Sequence, residues 1–406
     1  MRISTSTMYE TGVAQLNTLQ SNIARTQQQL ATNRRMLTAA DDPIAAARAL
    51  EVTQSKAVNT QYATNRDNAR ASLSQVDLRL GGVTSLLQDV QSLAVKAGNA
   101  VLSAADRQSL ATELEGQLED MIGLANSSDG TGSYLFAGYK SATVPFAKTA
   151  GGAQYVGDQG QRELQVSSSR KVAISDPGSA IFESNMTGNG TFSTSAIAGN
   201  GGTGVVSSGS VTSAAALTGH KYEVSFAGSG AGSTYSVLDT KTGLPPPGVS
   251  GPQPFVPGQS IEFDGMSFNM KGAPAAGDKF AVEPSTKQSV FKTMTDLIAT
   301  LRAPAGSAAE LTAFNNGLNK ANENLGSALD TVLSVRASTG SRMKELDTLD
   351  TAGEDLNIQY ETTLSKLQDL DMVAAITQFT QQQTTLEAAQ KSFKSLSGLS
   401  LFNYIG

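Results

Sequence analysis

"YETGVAQLNTLQSNIARTQQQLATNRRMLTAADDPIAAARAL", residues 9–50, carries the pattern on which the fold turns. Tyr9, Leu16, Ile23, Leu30 and Leu37 recur every seven residues, with Val13 and Leu19 as intermediate partners among Gln, Asn, Thr, Ser and Arg. So narrow an apolar stripe is a coiled-coil seam rather than the broad face of a globular helix. It cannot bury itself alone in water, so it predicts a second helix. The other end of the chain offers one: Phe379, Leu386 and Phe393 also repeat at seven, preceded by Leu364, Leu367, Leu370, Val373 and Ile376 at intervals of three. Pairing the first helix with the last sets Leu16, Ile23, Leu30 and Leu37 against Ile376, Phe379, Leu386 and Phe393. Any apolar edge left over is expected to meet neighbouring subunits.

The same stretch ends in two aspartates and a proline. Adjacent carboxylates point about 100° apart on a helix and to opposite faces of a strand, which argues against Asp41 and Asp42 as an acid pair. Capping explains them better. Asp42 at the N-cap accepts from free first-turn amides, and Pro43 at the first helical position has no amide to leave unsatisfied and a preset φ. Both carboxylates would lie at the positive end of the helix dipole. Asp41, Asp42 and Pro43 therefore read as a helix cap and a hinge between domains.

Outward from there, ten of the twelve prolines lie between Pro145 and Pro284, and most glycines share that interval. Both residues are disfavoured inside helices and favoured in turns, so two helical arms flank a turn-rich insert. Helices are predicted at about 43–97, 104–126 and 289–360, the last broken near Ala303 to Ser307. "RELQV", "KVAI", "KYEVSF", "TYSVLD", "SIEFDG", "MSFNMKG" and "KFAVEP" alternate as short antiparallel strands do, and residues 188–215 are Gly/Ser/Thr-rich low complexity. The expected fold is mainly α with a β insert. A terminal coiled coil comprises 1–42 and 364–406, and a long-helix bundle 43–140 and 286–363. A β-rich insert occupies 141–285, whole or split into a hairpin region 141–186 and a β domain 187–285.

Of the 406 residues 39% are hydrophobic and 6% aromatic, with no Trp, which suits long thin helices better than a thick core. The net charge of −6 offers no basic surface for nucleic acid or an acidic membrane. With no cysteine there are no disulfides, thiol nucleophiles or thiolate metal sites. No run approaches the length of a membrane span, and "MRISTSTMYETGVAQL" lacks the apolar region of a cleaved secretory signal.

The inventory for catalysis is short. The one histidine, His220, stands at the mouth of a predicted strand in "LTGHKYEVSF", without a nucleophile elbow or a second metal ligand at useful spacing. "GNGGTG" fits a dinucleotide template through Gly199, Gly201 and Gly204, but it sits in low complexity rather than between a strand and a helix. "SSDGTG" lacks the spaced carboxylates of a calcium loop. No catalytic residue, cofactor or metal is expected.

"LATNRRMLTAADDPIAAARAL" resembles the N-terminal signature of the flagellin superfamily. Its Asp-Asp-Pro form, with "GSYLFAGYKSATVPF" at 132–146, "VRASTGSRMKEL" at 335–346, "LDMVAAITQF" at 370–379 and the closing "SLFNYIG", is similar to the hook–filament junction branch rather than to filament flagellin. The resemblance covers both helical arms; in the insert it is confined to the "GDKFAVEP" exit. It implies a structural subunit of a homo-oligomeric ring in the extracellular flagellum, exported unfolded by the type III apparatus without a cleaved signal. The terminal coiled coil would line the inner tube, the bundle the next shell and the insert the outer surface. Implied partners are the first hook-associated protein, flagellin and an export chaperone. The other readings are a variant filament flagellin, or a flagellin-like scaffold whose insert is an adhesin or an enzyme. Arms with few large apolar residues should be mobile in the monomer and ordered by assembly.

Overall fold

Among the described residues every α-helix after the first begins at an Asp or Ser that accepts from its first turn. The computed structural model describes residues 5–99, 102–228 and 232–398, so the closing "SLFNYIG" lies outside the described residues. Helices α1 (Thr5–Thr32), α2 (Pro43–Ala97) and α3 (Ala104–Ala125) precede the strands, and α4 (Val290–Arg302), α5 (Ala308–Gln368) and α6 (Met372–Gly398) follow them. Asp42 Oδ1 accepts from the Ala45 amide at 3.0 Å, with Pro43 at the first helical position. Ser103 and Asp106 form a reciprocal capping box on α3, as do Ser307 and Glu310 on α5. Ser289 caps α4, and Asp371 caps α6 by accepting from the Val373 and Ala374 amides at 3.1 and 3.0 Å. The predicted break between α4 and α5 is present: Ala303, extended before Pro304, ends α4.

Two expectations need correction. Helix α1 stops at Thr32, where Asn33 takes the left-handed conformation at φ 53°, so Leu37 is not a seventh-residue member of that helix. Instead the Leu37 and Thr38 amides donate to Asp41 Oδ2 at 2.8 and 2.9 Å. Asp41 therefore closes a turn, Asp42 alone caps α2, and residues 33–42 form the connection between α1 and α2. Likewise the three-spaced run from Leu364 to Ile376 is not one helix, because the chain breaks between Gln368 and Met372 and leaves Leu370 in the gap.

The chain forms two compact units, 1–64 with 348–406, and 65–347, so the division falls inside α2 and α5. In the first unit α1 packs on α6, and the start of α2 faces the end of α5. There Asn59 Nδ2 donates to the Gly353 carbonyl at 2.7 Å and to Asn357 Oδ1 at 2.9 Å, and Lys56 pairs with Glu361 at 2.9 Å.

The second unit holds two cores. In one, Leu80, Leu87, Leu114, Leu297 and Leu325 join α2, α3, α4 and α5, and a cluster of Phe136, Phe146, Phe182 and Phe291 packs into it. Hairpins β1–β2 (Phe146–Thr149, Gly152–Tyr155) and β3–β4 (Glu163–Ser167, Arg170–Ala173) flank this bundle. The second hairpin is held on α2 by Arg66, which donates to the Val166 carbonyl at 3.0 Å. On α5, Arg342 forks onto the nearby Asp176 carboxylate.

The other core is a sandwich of two antiparallel sheets. Its strands are β6 (Phe192–Ala196), β7 (Val205–Val206), β8 (Ser210–Val211), β9 (Tyr222–Ala227), β10 (Thr234–Asp239), β11 (Gln253–Pro254), β12 (Ser260–Phe263), β13 (Met266–Lys271) and β14 (Lys279–Pro284). One sheet runs β11-β10-β9-β14-β6; the other runs β12-β13-β7 with β8 also on β13. Alternation along β9 and β13 buries Tyr222, Val224 and Phe226 against Met266, Phe268 and Met270. A short pair, β5 (Asn185–Met186) with β15 (Lys287–Gln288), joins the strands at the point where the insert leaves and rejoins the helices. All seven segments read from the sequence contain or form strands; β6, β7 and β8 lie within the low-complexity stretch.

Two substitutions test this construction. Asp42→Ala removes the α2 cap and should lower stability by about 1 kcal/mol, read as a depressed thermal midpoint; an unchanged midpoint would contradict the cap. Asp264 and Gly265 both have positive φ and make the two-residue β12–β13 turn. A Cβ at Gly265 would collide with the Ser213 carbonyl, so Gly265→Ala should destabilise the sandwich by about 1–3 kcal/mol in denaturant titrations.

Candidate functional site

The α1–α6 seam follows a strict heptad alternation, and its content is unusual. On α1, Gly12, Leu16, Leu19, Ile23, Thr26 and Leu30 turn inward; on α6, Ala375, Phe379, Gln382, Leu386, Ala389 and Phe393 do. The antiparallel register is fixed at both ends. Tyr9 and Phe393 pack with ring centroids 5.0 Å apart, and a Cβ at Gly12 would lie 2.8 Å from the Phe393 ring, so only glycine leaves that ring its place. Further along, Thr26 Oγ1 donates to Gln382 Oε1 at 3.0 Å.

Leu16, Ile23, Leu30, Phe379, Leu386 and Phe393 thus meet in one seam, although each stays only half-buried. Ile376 does not join them: it is 52% exposed, because the neighbouring Ala375 occupies the inward position and the next residue points about 100° away. Val13 is adjacent to the inward Gly12 rather than in the repeat. Strict extension of the heptad from Leu16 and Leu19 would have selected Gly12 and Thr26; apolar residues alone did not reveal them. Asp371, directly before an apolar run, carried a capping signal that sequence reasoning passed over.

At the end of the seam the two helix breaks face each other. Arg34 and Asp369 form a β-bridge, the Arg35 amide donates to the Gln368 carbonyl at 2.8 Å, and the Leu370 amide to the Asn33 carbonyl at 3.3 Å. The Arg35 guanidinium reaches the Leu367 carbonyl at 3.0 Å and Asp42 at 3.6 Å, while Arg25 pairs with Asp41 at 2.8 Å. The amides of Thr38 and Leu37, then Arg25, hold the Asp41 carboxyl below its ordinary value of 3.8. Its folded value is depressed, so its support of this turn is present above that ordinary value and lost as pH falls through the folded one.

This unit has little apolar interior among the described residues. Among the described residues, its buried hydrophobic side chains are Ala45, Ala49 and Ala375, whereas Ile44, Leu50, Ile358 and Val373 are 72%, 70%, 63% and 78% exposed. Every larger buried apolar side chain among the described residues belongs to residues 65–347. An unfinished apolar surface on long helices suits packing against another polypeptide.

The positions weighed for chemistry have local roles. His220 Nδ1 lies 2.7 Å from Asp239 Oδ2 and its Nε2 lies 3.2 Å from Lys241 Nζ, so both ring nitrogens are engaged and no hydroxyl completes a triad. Burial works against the Asp239 charge, but the His220 contact and the Lys241 amide hold its carboxyl down at about 2. In "GNGGTG" the Gly201 and Gly202 amides donate to Asp278, so the chain's own carboxylate fills the place a phosphate would take. Among the described residues no group of three or more His, Cys, Asp or Glu could hold a metal, and no helix is long and apolar enough to cross a membrane.

Residues 3–141 match the bacterial flagellin N-terminal helical region. Over 403 residues the chain is 30% identical to flagellar hook-associated protein 3 of Salmonella typhimurium, spanning 99% of both chains, and the same figures hold for that of Escherichia coli. Among solved structures it is similar to the flagellar junction protein FlgL from Legionella pneumophila, with TM-score 0.71, 31% identity, and coverage of 79% of this chain and 100% of that one. Xanthomonas campestris FlgL gives TM-score 0.70 at 31% identity, covering 77% and 99%. Helical arms from both ends, a β-rich centre and full-length similarity agree, and the chain belongs to the flagellar hook-associated protein 3 family.

Proposed function

We propose that this protein is a structural subunit at the junction between hook and filament of the bacterial flagellum, completed by packing its terminal helices against neighbouring copies of itself. The observation that carries this reading is how little apolar interior the described residues of the first unit have: an α1–α6 seam built on Gly12, Thr26 and Gln382, with Ile44, Leu50, Ile358, Val373 and Ile376 left exposed. Residues 1–42 and 364–406 act as the assembling coiled coil, 43–140 and 286–363 as the bundle that carries it, and 141–285 as the insert. Leu16, Ile23, Leu30, Phe379, Leu386 and Phe393 hold the seam within a subunit, and Ile376 and Leu37 serve contacts between subunits. A ring of copies takes the first hook-associated protein on one side and flagellin on the other, after export in which a chaperone shields the C-terminal helix. Binding that acts on the assembled state alone shifts the terminal helices from mobile to ordered by mass action. We assign it no catalysis.

A strain lacking the protein should carry bare hooks and shed flagellin, and the full chain should restore attached filaments without itself polymerising into filaments when purified; self-made filaments would favour a flagellin instead. Leu386→Asn should leave the circular dichroism of the second unit intact while abolishing attachment in the complemented strain. Normal filament counts with that variant would remove the seam from the mechanism.

A further inference from the structure

On the sandwich, the pairing of β9 with β10 sets three side chains in a row. Asp239 closes β10 opposite Tyr222, and His220, two residues before Tyr222, presents Nδ1 to Asp239 Oδ2 at 2.7 Å. Beyond the ring, Lys241 Nζ lies 3.2 Å from Nε2. The turn that carries the lysine is fixed through its main chain. There the Lys241 amide donates to Asp239 Oδ1 at 2.8 Å, and the Thr240 amide and hydroxyl donate to the Lys221 carbonyl at 2.9 and 3.0 Å. Asp239 is buried, His220 partly buried and Lys241 exposed, so the row runs from the interior of the sandwich to its surface.

The acceptor fixes the position of the ring proton. Asp239, ionised with its carboxyl at about 2, can only accept, so Nδ1 carries the proton and Nε2 keeps its lone pair toward the amine. An amine thus holds the place that a hydroxyl has in a serine triad, with the base and its orienting carboxylate behind it in the same order. Other lysines are placed differently: Lys221, Lys279 and Lys292 pair with Glu283, Glu223 and Asp296, carboxylates that favour the charged ammonium. We propose that Lys241 is an acylation site, its amine taking a small acyl group from an acyl phosphate while His220 accepts the proton and Asp239 orients His220.

The neutral amine attacks the carbonyl carbon of the donor. A carbon–nitrogen bond forms at Nζ, the bond from that carbon to the bridging oxygen breaks, and inorganic phosphate departs with the electron pair. As the amide forms the nitrogen loses a proton, which Nε2 takes and passes to the departing phosphate while Asp239 stabilises the imidazolium. Nothing is oxidised or reduced. The amide that results carries no charge and is no longer a nucleophile, so the site acts once per chain and the protein is modified rather than turning over. The donor is small because the cavity that His220 borders measures about 50 Å³, too little to hold a nucleotide-bearing carrier. An acyl phosphate meets that limit, since its leaving group supplies the activation.

Treating the full-length protein with acetyl phosphate and following each lysine by peptide mass spectrometry tests this site by site. Lys241 should be acetylated at least about tenfold faster than Lys221 and Lys279, exposed lysines of the same sandwich. His220→Gln should bring Lys241 down to the rate of those two. Equal rates at the three lysines of the wild type, or a His220→Gln variant in which Lys241 stays fast, would overturn the proposal. If His220→Gln does not fold by circular dichroism, Lys241→Thr combined with Thr242→Lys decides, because it moves the amine one residue along an exposed turn and leaves His220 and Asp239 unchanged. The moved amine should react at the Lys221 rate; one that still outpaces Lys221 would sink the idea, since exposure alone would then explain the reactivity.

Discussion

The structure of the first unit depends on how the two helix breaks are matched. Thr26 and Gln382 touch although 356 residues separate them, and closing a free loop of that length would cost about 5 kcal/mol. The chain avoids most of that cost by aligning the start of α2 with the end of α5, where Asn59 reaches Gly353 and Lys56 reaches Glu361. With those helices antiparallel, the connections 33–42 and 369–371 come together, and the Arg34–Asp369 bridge sets their register. Only short joints then separate α1 and α6 from fixed positions. A slip of one residue at the bridge would rotate a seam helix by about 100° and take Gly12 away from the Phe393 ring.

A seam so placed need not be strong, and it is not. Thr26 and Gln382 occupy core positions of the coiled coil, where a polar pair specifies register at some expense of stability. Ala375 and Ala389 contribute little apolar area, and the leucines around them are only partly buried. The second unit is built on the opposite principle, with Leu80, Leu87, Leu114 and Phe291 fully buried and a second core inside the sandwich. One chain thus carries a part with two well-buried cores and a part whose described seam buries little apolar surface, and the proposed assembly, with folding coupled to association, would use that difference.

Periodicity and capping made much of this legible. The extents of α2 and α3, the α4–α5 break and the pairing of chain ends all follow from local signals: Pro43 after Asp42, Ser103 before Ala104, Pro304 after Ala303, and the seven-residue repeats. Errors arose where a periodic spacing continued by coincidence across a stop. Leu37 keeps the interval of seven beyond Asn33, and Leu370 keeps the interval of three across the Asp371 cap; a hydrophobic repeat carries no information about the left-handed residue or cap that interrupts it. Gly12 and Thr26 were hidden for a related reason, because inward positions filled by small or polar residues leave no apolar mark. The order of strands in the sandwich and the reach of Asn316 to Gly204 and Val206 depend on contacts more than a hundred residues apart, which no local pattern encodes.

That last contact also bears on how freely the insert can vary. Asn316 and Asn324 address the Gly204 carbonyl and the Val206 and Gly188 amides, all main-chain groups, so seating on α5 asks nothing of the side chains presented there. What it does ask for is backbone shape. Gly188 has a φ of 62° and a Cβ there would collide with the Phe192 carbonyl; one at Gly204 would approach Pro274 Cγ at 3.0 Å. The seat therefore constrains the insert to glycine at a few turns while leaving its Ser- and Thr-rich surface unconstrained. Side-chain freedom at the seat is thus compatible with a similarity to the relatives that still spans 99% of both chains, because what the seat fixes is the path of the main chain.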